Sequence, residues 1–258
     1  MVTLACEGLA VTLGGRIVLD AASAAFAPGG LVGVVGPNGA GKSTLVRALA
    51  GLLPVARGRA TLDGRDVAAI PRAEMARRIA YLPQGQTLHW PLSVARLVAL
   101  GRLPHLAPFQ RIGAGDAAAI DRAMALTEVT DLRDRVATEL SGGERARVLL
   151  ARALAVEAPV LIVDEPLAAL DPGHQLDMMA LLRARAGEGA LVIAVLHDLG
   201  LAARQCDRLL LLHAGRVVAD GAPADVLTAE RLAAIFGIRA WTGMVEGQPI
   251  LVPLHRSS

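Results

Sequence analysis

The chain has 258 residues, 53% of them apolar, and 26 Lys and Arg against 24 Asp and Glu give a formal net charge of +2. This length and composition can bury a substantial core in one large or two modest domains, and the balanced charge argues against nucleic acid as a partner. No apolar run approaches the roughly 20 residues that a membrane-spanning helix needs. The amino terminus has no basic segment ahead of an apolar one, so no secretory signal is expected.

The first part of the chain predicts strands, a glycine-rich loop and a helix. Residues 4–26 carry short alternating apolar runs around a turn at Gly14 and Gly15, which is typical of antiparallel strands. Leu31–Val35 is a continuous apolar run between glycines and predicts a strand buried on both faces. Residues 44–52 follow with helical apolar spacing. Strand, glycine loop and helix form the order that a phosphate-binding site requires.

A helical insertion is predicted between two α/β portions. Residues 85–139 are helix-prone: Ser93 is placed to cap one helix, and residues 116–127 carry the spacing of another. The apolar runs at residues 160–163 and 191–196 then predict two further buried strands, with a helix between them at 176–185. This alternation is typical of a parallel sheet.

The carboxyl-terminal part predicts a hairpin and a short helix. The hairpin pairs residues 209–213 with residues 216–220, and the helix covers residues 228–236 and ends at Gly237. Residues after Trp241 carry no clear pattern.

The glycine-rich loop fits the motif G-x-x-x-x-G-K-[ST], which binds phosphate. Its residues are Gly36, Pro37, Asn38, Gly39, Ala40, Gly41, Lys42, Ser43 and Thr44. The glycines allow backbone N–H groups to point at phosphate oxygens, and the following helix adds the positive end of its dipole. Lys42, the single lysine of the chain, is placed to reach the β- and γ-phosphates, and Ser43 to ligate Mg²⁺. A glycine-rich turn with an accidental lysine would not explain the strand before it and the helix after it.

Two acids end the apolar run at residues 160–163. Adjacent side chains at a strand end point in different directions, so Asp164 and Glu165 can do different work. We expect Asp164 to hold Mg²⁺ through its water shell and Glu165 to orient and polarise the attacking water. Acids often merely begin a loop after a strand, and the phosphate loop is what favours the functional interpretation.

A third motif precedes the helix-prone residues 145–155. Ser141 and Glu144 have the spacing of a capping box, which needs no ligand. However, Gly142 and Gly143 each weaken a helix by roughly 1 kcal/mol relative to Ala. A bare helix start of this kind suits the approach of an anion.

The order of these motifs resembles that of ATP-binding cassette domains over essentially the whole chain. Residues 81–84 resemble the family's glutamine loop, Leu140 to Glu144 its signature, Leu170 and Asp171 its D-loop, and His197 its switch histidine. The likeness implies ATP hydrolysis, with ATP and Mg²⁺ as cofactors.

The resemblance also implies roles for individual residues. Gln84 would contact Mg²⁺ and the attacking water and sense the membrane partner, and His197 would contact the γ-phosphate. Ser141, Gly142, Gly143 and Asp171 would belong to the nucleotide site of a second copy, so that one chain is half of each site.

The fold implied is an α/β P-loop NTPase with a mixed sheet core, an antiparallel β subdomain and an α-helical insertion. We divide the chain into a first core part with the phosphate loop (1–84), the helical subdomain (85–139), a second core part (140–240) and a tail (241–258).

The sequence departs from the family pattern in two places. The signature normally ends in glutamine and here ends in Glu144, which keeps the cap but adds a negative charge near the phosphate. The region of Leu13 lacks the aromatic ring that usually stacks on adenine, and Leu13 with Arg16 would cover the base instead.

Residues 98–105 resemble a stretch in importers of iron-siderophore complexes, haem and cobalamin. This implies a membrane permease as partner, an external or periplasmic substrate-binding protein acting indirectly, and a peripheral place on the cytoplasmic face of the cell membrane. Importers of other substrates, a soluble cassette ATPase of an assembly system, and a kinase that shares only the phosphate loop are the alternatives.

Overall fold

The structure is a computed structural model that describes residues 1–85, 88–168 and 170–257. Residues 86 and 87 of the predicted insertion and residue 258 of the tail lie outside these ranges. The strands are β1 (Leu4–Leu13), β2 (Arg16–Phe26), β3 (Leu31–Val35), β4 (Arg57–Leu62), β5 (Arg65–Asp66), β6 (Ile79–Leu82), β7 (Val160–Asp164), β8 (Leu191–Val195), β9 (Arg208–His213), β10 (Arg216–Gly221), β11 (Ile238–Val245) and β12 (Gln248–Arg256).

The described helices agree with the predicted insertion and α/β alternation. They are α1 (Lys42–Leu49), α2 (Arg72–Arg78), α3 (Val94–Ala99), α4 (Ala114–Leu126), α5 (Gly142–Leu154), α6 (Pro172–Gly187), α7 (Leu199–Gln205), α8 (Pro223–Val226) and α9 (Ala229–Phe236). Short 3-10 helices occupy Val67–Ala69, Leu100–His105, Thr130–Leu132 and Ala137–Glu139. None of the helices in the described ranges combines the length and the apolar character needed to span a bilayer.

Two sheets make up the core. The antiparallel sheet has the order β2-β1-β4-β5 and contains the two strands predicted around Gly14 and Gly15. The central sheet has the order β10-β9-β3-β8-β7-β6, in which β10 alone runs antiparallel to its neighbour. The mixed sheet, the antiparallel subdomain and the helical insertion are therefore as predicted.

The central strands are buried on both faces, which explains their continuous apolar runs. Every residue of β3, β7 and β8 is buried. Alternate residues face two different clusters, so that Val34 packs with the antiparallel sheet and α1, whereas Val35 packs with α5, α6 and the insertion. The carboxyl ends of β3, β7 and β8 thereby reach one edge of a rigid sheet.

The predicted helix boundaries are close to those found, and the caps explain the differences. The helix expected at 44–52 begins at Lys42, because Gly41 takes a left-handed conformation as its N-cap, and ends at Leu49. Ser93 caps α3 as expected, and Gly237 ends α9 with φ of 64°.

The pattern-free residues at the carboxyl end form a hairpin of β11 and β12. Its strand β12 packs on α7, and Leu251 is 8% exposed, while Val252 of β12 and its partner Trp241 in β11 remain exposed. Because apolar residues occupy both faces, the alternation that marks a surface strand is missing.

Candidate functional site

The phosphate loop joins β3 to α1 and needs glycine at two positions, where φ is positive and a Cβ would collide with a neighbouring strand. Gly36 has φ of 151°, and a Cβ there would lie 2.2 Å from the carbonyl oxygen of Leu212. Gly41 has φ of 99°, and a Cβ there would lie 2.7 Å from Cδ2 of Leu19. The loop therefore packs against β9 and β2, while Asn38, Gly39 and the residues from Gly41 to Thr44 line the open cleft. No acidic side chain occupies the first turn of α1, so the positive helix end is not neutralised from within it.

Lys42 is folded onto the loop it follows. It is 5% exposed, and its Nζ donates to the carbonyl oxygens of Gly36 at 2.8 Å and Pro37 at 3.0 Å. Burial lowers the pKa of Lys42, and the nearby carboxylates of Glu165 and Asp164 oppose that shift. An ammonium held by two carbonyl groups can exchange them for phosphate oxygens.

Asp164 ends β7 with both carboxylate oxygens engaged. Oδ1 accepts from Ser43 Oγ at 2.9 Å and Oδ2 accepts from Tyr81 Oη at 2.9 Å, while the residue itself is fully buried. Arg47 Nε donates to the same tyrosine hydroxyl at 3.1 Å. The sequence predicted Ser43 and Asp164 as residues of one Mg²⁺ site but gave no role to Tyr81 or Arg47.

Glu165 lies at the centre of a second cluster. Its backbone is left-handed, with φ of 52°, and its N–H donates to the carbonyl of Val195 at 3.2 Å. One carboxylate oxygen accepts from Gln84 Nε2 and the other pairs with Nε2 of His197. Three residues that are distant in sequence are thus joined at the edge where β6, β7 and β8 end.

These two clusters and the phosphate loop border one cleft of about 690 Å³. Its lining residues are Val18, Asn38, Gly39, Gly41, Lys42, Ser43, Thr44, Gln84, Glu165 and His197. Gly36, Pro37 and Ala40 belong to the same loop but do not line the cleft. Asp164 is buried next to Ser43 of that loop. Val18 of β2 was missed. It lines the cleft because β2 packs against the phosphate loop, a contact that the local sequence pattern does not indicate. Leu13 and Arg16, which were expected to cover the base, pair instead at the tip of the β1 and β2 hairpin.

The signature residues do not line this cleft in the described part of the chain. Ser141 caps α5: its Oγ accepts from the N–H of Glu144 at 3.3 Å, and the Glu144 carboxylate accepts from the N–H of Ser141 at 2.8 Å. That hydrogen bond, with the Ser141 side chain and Arg135 nearby, lowers the pKa of Glu144. Ser141 is exposed, and Gly142 borders a separate cleft of about 220 Å³ that Glu165 also borders.

Asp171 is likewise outside the cleft. It caps α6 by accepting from the N–H of His174 at 3.0 Å, with Pro172 in the first turn. The N–H and then the ring of His174 lower the pKa of Asp171, whose side chain stays 63% exposed. Ser141 and Asp171 thus lie apart from the residues of the 690 Å³ cleft, whereas Gly142 shares the smaller cleft with Glu165.

A glycine loop between a buried strand and a helix, with a buried Asp beside the loop serine, defines the P-loop NTPase class. The sequence profile described as ABC transporter matches residues 19–168. The chain is 48% identical over 238 residues to the "Hemin import ATP-binding protein HmuV" of Rhodococcus jostii (strain RHA1), covering 92% of this chain and 80% of that protein. It is 48% identical to the "Cobalamin import ATP-binding protein BtuD" of Halobacterium salinarum, covering 93% of this chain and 60% of that protein.

A solved structure of a metal-chelate type ABC transporter in an inward-facing conformation superposes with a TM-score of 0.85. The two sequences are 26% identical, and the match covers 99% of this chain and 98% of that one. The chain belongs to the ABC transporter family, as an ATP-binding subunit whose ATPase activity is coupled to transport.

Proposed function

We propose that the chain hydrolyses ATP to drive import of a metal chelate, namely haem, cobalamin or a ferric siderophore, through a partner permease. The observation that carries this proposal is the 48% identity, over more than nine tenths of the chain, to relatives named for hemin and cobalamin import. Residues 98–105, which resemble the same group of importers, support it. The subunit would lie peripherally on the cytoplasmic face of the membrane.

ATP would bind with its phosphates in the curl of the loop from Gly36 to Thr44. Backbone N–H groups and the start of α1 supply positive potential without a mobile side chain. Lys42 would release the carbonyl oxygens of Gly36 and Pro37 and bind the β- and γ-phosphates. Val18 lines the same cleft and would cover part of the nucleotide.

The oxygen atoms around Ser43 suit Mg²⁺. This ion prefers hard oxygen ligands and usually takes one or two protein groups, with phosphates and water completing its shell. The Ser43 hydroxyl and the Asp164 carboxylate already lie in contact at the cleft, and the Gln84 amide oxygen is the third ligand we propose. Bound Mg²⁺ would neutralise phosphate charge.

Glu165 would accept the proton of the water that attacks the γ-phosphate, because it is the carboxylate among the described residues that line the cleft. Gln84 and His197 hold its two oxygens, so they fix where that carboxylate points. His197 would turn to the γ-phosphate once nucleotide is present.

The second half of each site would come from another copy of the chain in head-to-tail order. The start of α5 has the exposed Ser141 followed by Gly142 and Gly143, so a helix end with its backbone N–H groups and positive dipole would face the phosphate of the other copy. Asp171 would border the same contact. Nucleotide would then hold two copies together until hydrolysis releases them.

Gln84 and the helical insertion would transmit the association and release of the two copies to the permease. The insertion exposes Trp90, Leu103 and Phe109, and large exposed apolar side chains mark interaction surfaces. A substrate-binding protein outside the membrane would deliver the chelate to the permease.

Uptake measurements test the proposal. In a strain deleted for this chain, we expect uptake of one of haem, cobalamin or a ferric siderophore to fall to background and to return on complementation. The Glu165→Gln variant should not restore uptake, whereas Glu230→Gln, at an exposed acid of α9, should restore it fully. Normal uptake of all three chelates in the deletion strain would contradict the proposed substrate class.

A further inference from the structure

Tyr81, the single tyrosine of the chain, lies in contact with the carboxylate beside the phosphate loop. It belongs to β6, which pairs in parallel with β7 so that Tyr81 stands opposite Ile162. The half-buried ring reaches along that neighbouring strand to Asp164 at its end. The strand pairing therefore fixes where the hydroxyl lies.

The hydrogen-bond directions around this hydroxyl are determined by the groups present. Arg47 Nε can only donate, so the tyrosine oxygen accepts from it. The carboxylate of Asp164 can only accept, so the tyrosine proton goes to Oδ2.

We propose that Tyr81 is a positioning residue for the metal-binding carboxylate: oriented by Arg47, it holds Oδ2 of Asp164 so that Oδ1 faces Ser43 and the cation. The inference rests on the Mg²⁺ site of the proposed function. A fully buried carboxylate with one unheld oxygen could rotate about its last bond or lose a hydrogen bond without gaining water. With Tyr81 in place, both oxygens are held before the cation arrives.

The test is the variant Tyr81→Phe, which removes only the hydroxyl. Calorimetry would measure ATP binding in EDTA and then across a magnesium titration. We expect ATP affinity in EDTA to be unchanged, and the Mg²⁺ concentration that gives half of the magnesium-dependent gain in affinity to rise about tenfold, the loss expected for a hydrogen bond to a charged group.

Two further variants separate positioning from general damage. Thr127→Val removes another buried hydroxyl, whose Oγ1 donates to the carbonyl of Ala123 at 3.0 Å in α4, and should leave the magnesium midpoint unchanged. Arg47→Met removes the group that orients the tyrosine and should raise the midpoint in the same direction, by a smaller factor. It also serves as the test if Tyr81→Phe does not fold.

Parental magnesium midpoints in both Tyr81→Phe and Arg47→Met would overturn the inference while leaving the metal site intact. A parental protein that binds ATP equally well with and without magnesium would overturn the metal site and this inference together.

Discussion

At the scale of single residues, Glu165 combines an unusual backbone with two side-chain contacts. A φ of 52° costs a non-glycine residue free energy. The hydrogen bond from the N–H of Glu165 to the carbonyl of Val195 helps to hold this conformation. Gln84 and His197 then bind its two oxygens. A carboxylate held by its backbone and by both oxygens has a fixed direction in the wall of the cleft, as the proposed base for water requires.

Glu165→Gln should bind ATP with near-parental affinity. Its rate of hydrolysis should fall by roughly 10³-fold, because an amide cannot accept a proton from water at neutral pH. Steady-state phosphate release and equilibrium ATP binding measure the two effects separately. Glu230→Gln is the matched control and should hydrolyse ATP at the parental rate. Parental turnover in Glu165→Gln would assign the base to another residue.

At the scale of elements, the 3-10 helix Leu100–His105 packs the helical insertion against the carboxyl end of α5. A Cβ at Gly101 would lie 2.2 Å from the carbonyl of Arg152, so the two segments touch through their backbones. His105 Nε2 lies 2.8 Å from the carbonyl of Val156. The stretch that resembles chelate importers thus has a structural role in this chain.

Arg102 is the buried charge of this element. Its side chain is 9% exposed, with Nε donating to Asp116 at 2.9 Å and Nη1 to the carbonyl of Ala155 at 2.8 Å and to Glu157 at 3.0 Å. The 3-10 helix, α4 and the turn after α5 therefore meet at one guanidinium, whose planar fork supplies donors in several directions.

Arg102→Met should lower the free energy of unfolding by about 3 kcal/mol, because Asp116 and the carbonyl of Ala155 lose their guanidinium partner, while Glu157 keeps Arg122. Denaturant unfolding measures this loss. Arg59→Met, which breaks an exposed pair with Glu7, should cost less than about 1 kcal/mol. Equal losses in the two variants would contradict the anchoring role.

The same cluster gives an acid dependence of defined sign. Arg122 and then Arg102 hold the pKa of Glu157 below its ordinary value of 4.5. The folded state therefore binds protons less readily than the unfolded one, and this stabilisation is complete above pH 4.5 and is lost as the pH falls below it. Arg102→Met should flatten the fall in stability between neutral and acid pH.

At the scale of the whole molecule, Ser141 and Asp171 lie outside the large cleft that holds most of the predicted site residues, and Gly142 meets Glu165 only at a smaller cleft. Gln84, Glu165, His197 and the phosphate loop share the large cleft, whereas Ser141 and Asp171 cap α5 and α6 outside it. This separation is what a site completed by a second copy requires.

In the Glu165→Gln background, ATP should convert the monomer to a dimer, and adding Ser141→Arg should abolish that dimer while ATP binding persists. Light scattering after size exclusion gives the mass of each species. Ser93→Arg, which disrupts the analogous cap of α3, should still dimerise and controls for the loss of a cap. A dimer that survives Ser141→Arg would show that α5 does not face the other nucleotide.

The sequence by itself determined the elements whose signals are local. The loop from Gly36 to Thr44 can be predicted because positions that are both left-handed and tightly packed require glycine. The strands β3, β7 and β8 can be predicted because burial on both faces requires continuous apolar runs. The caps at Ser93, Ser141 and Gly237 depend only on residues within one turn.

Only the tertiary structure decided which of these residues touch. Tyr81 meets Asp164, and Gln84 and His197 meet Glu165, because β6, β7 and β8 lie side by side in one register. The hairpin of β11 and β12 likewise depends on α7, against which Leu251 packs. Strand order and register arise from long-range packing, and no local pattern in the sequence encodes a contact between side chains 80 or more positions apart.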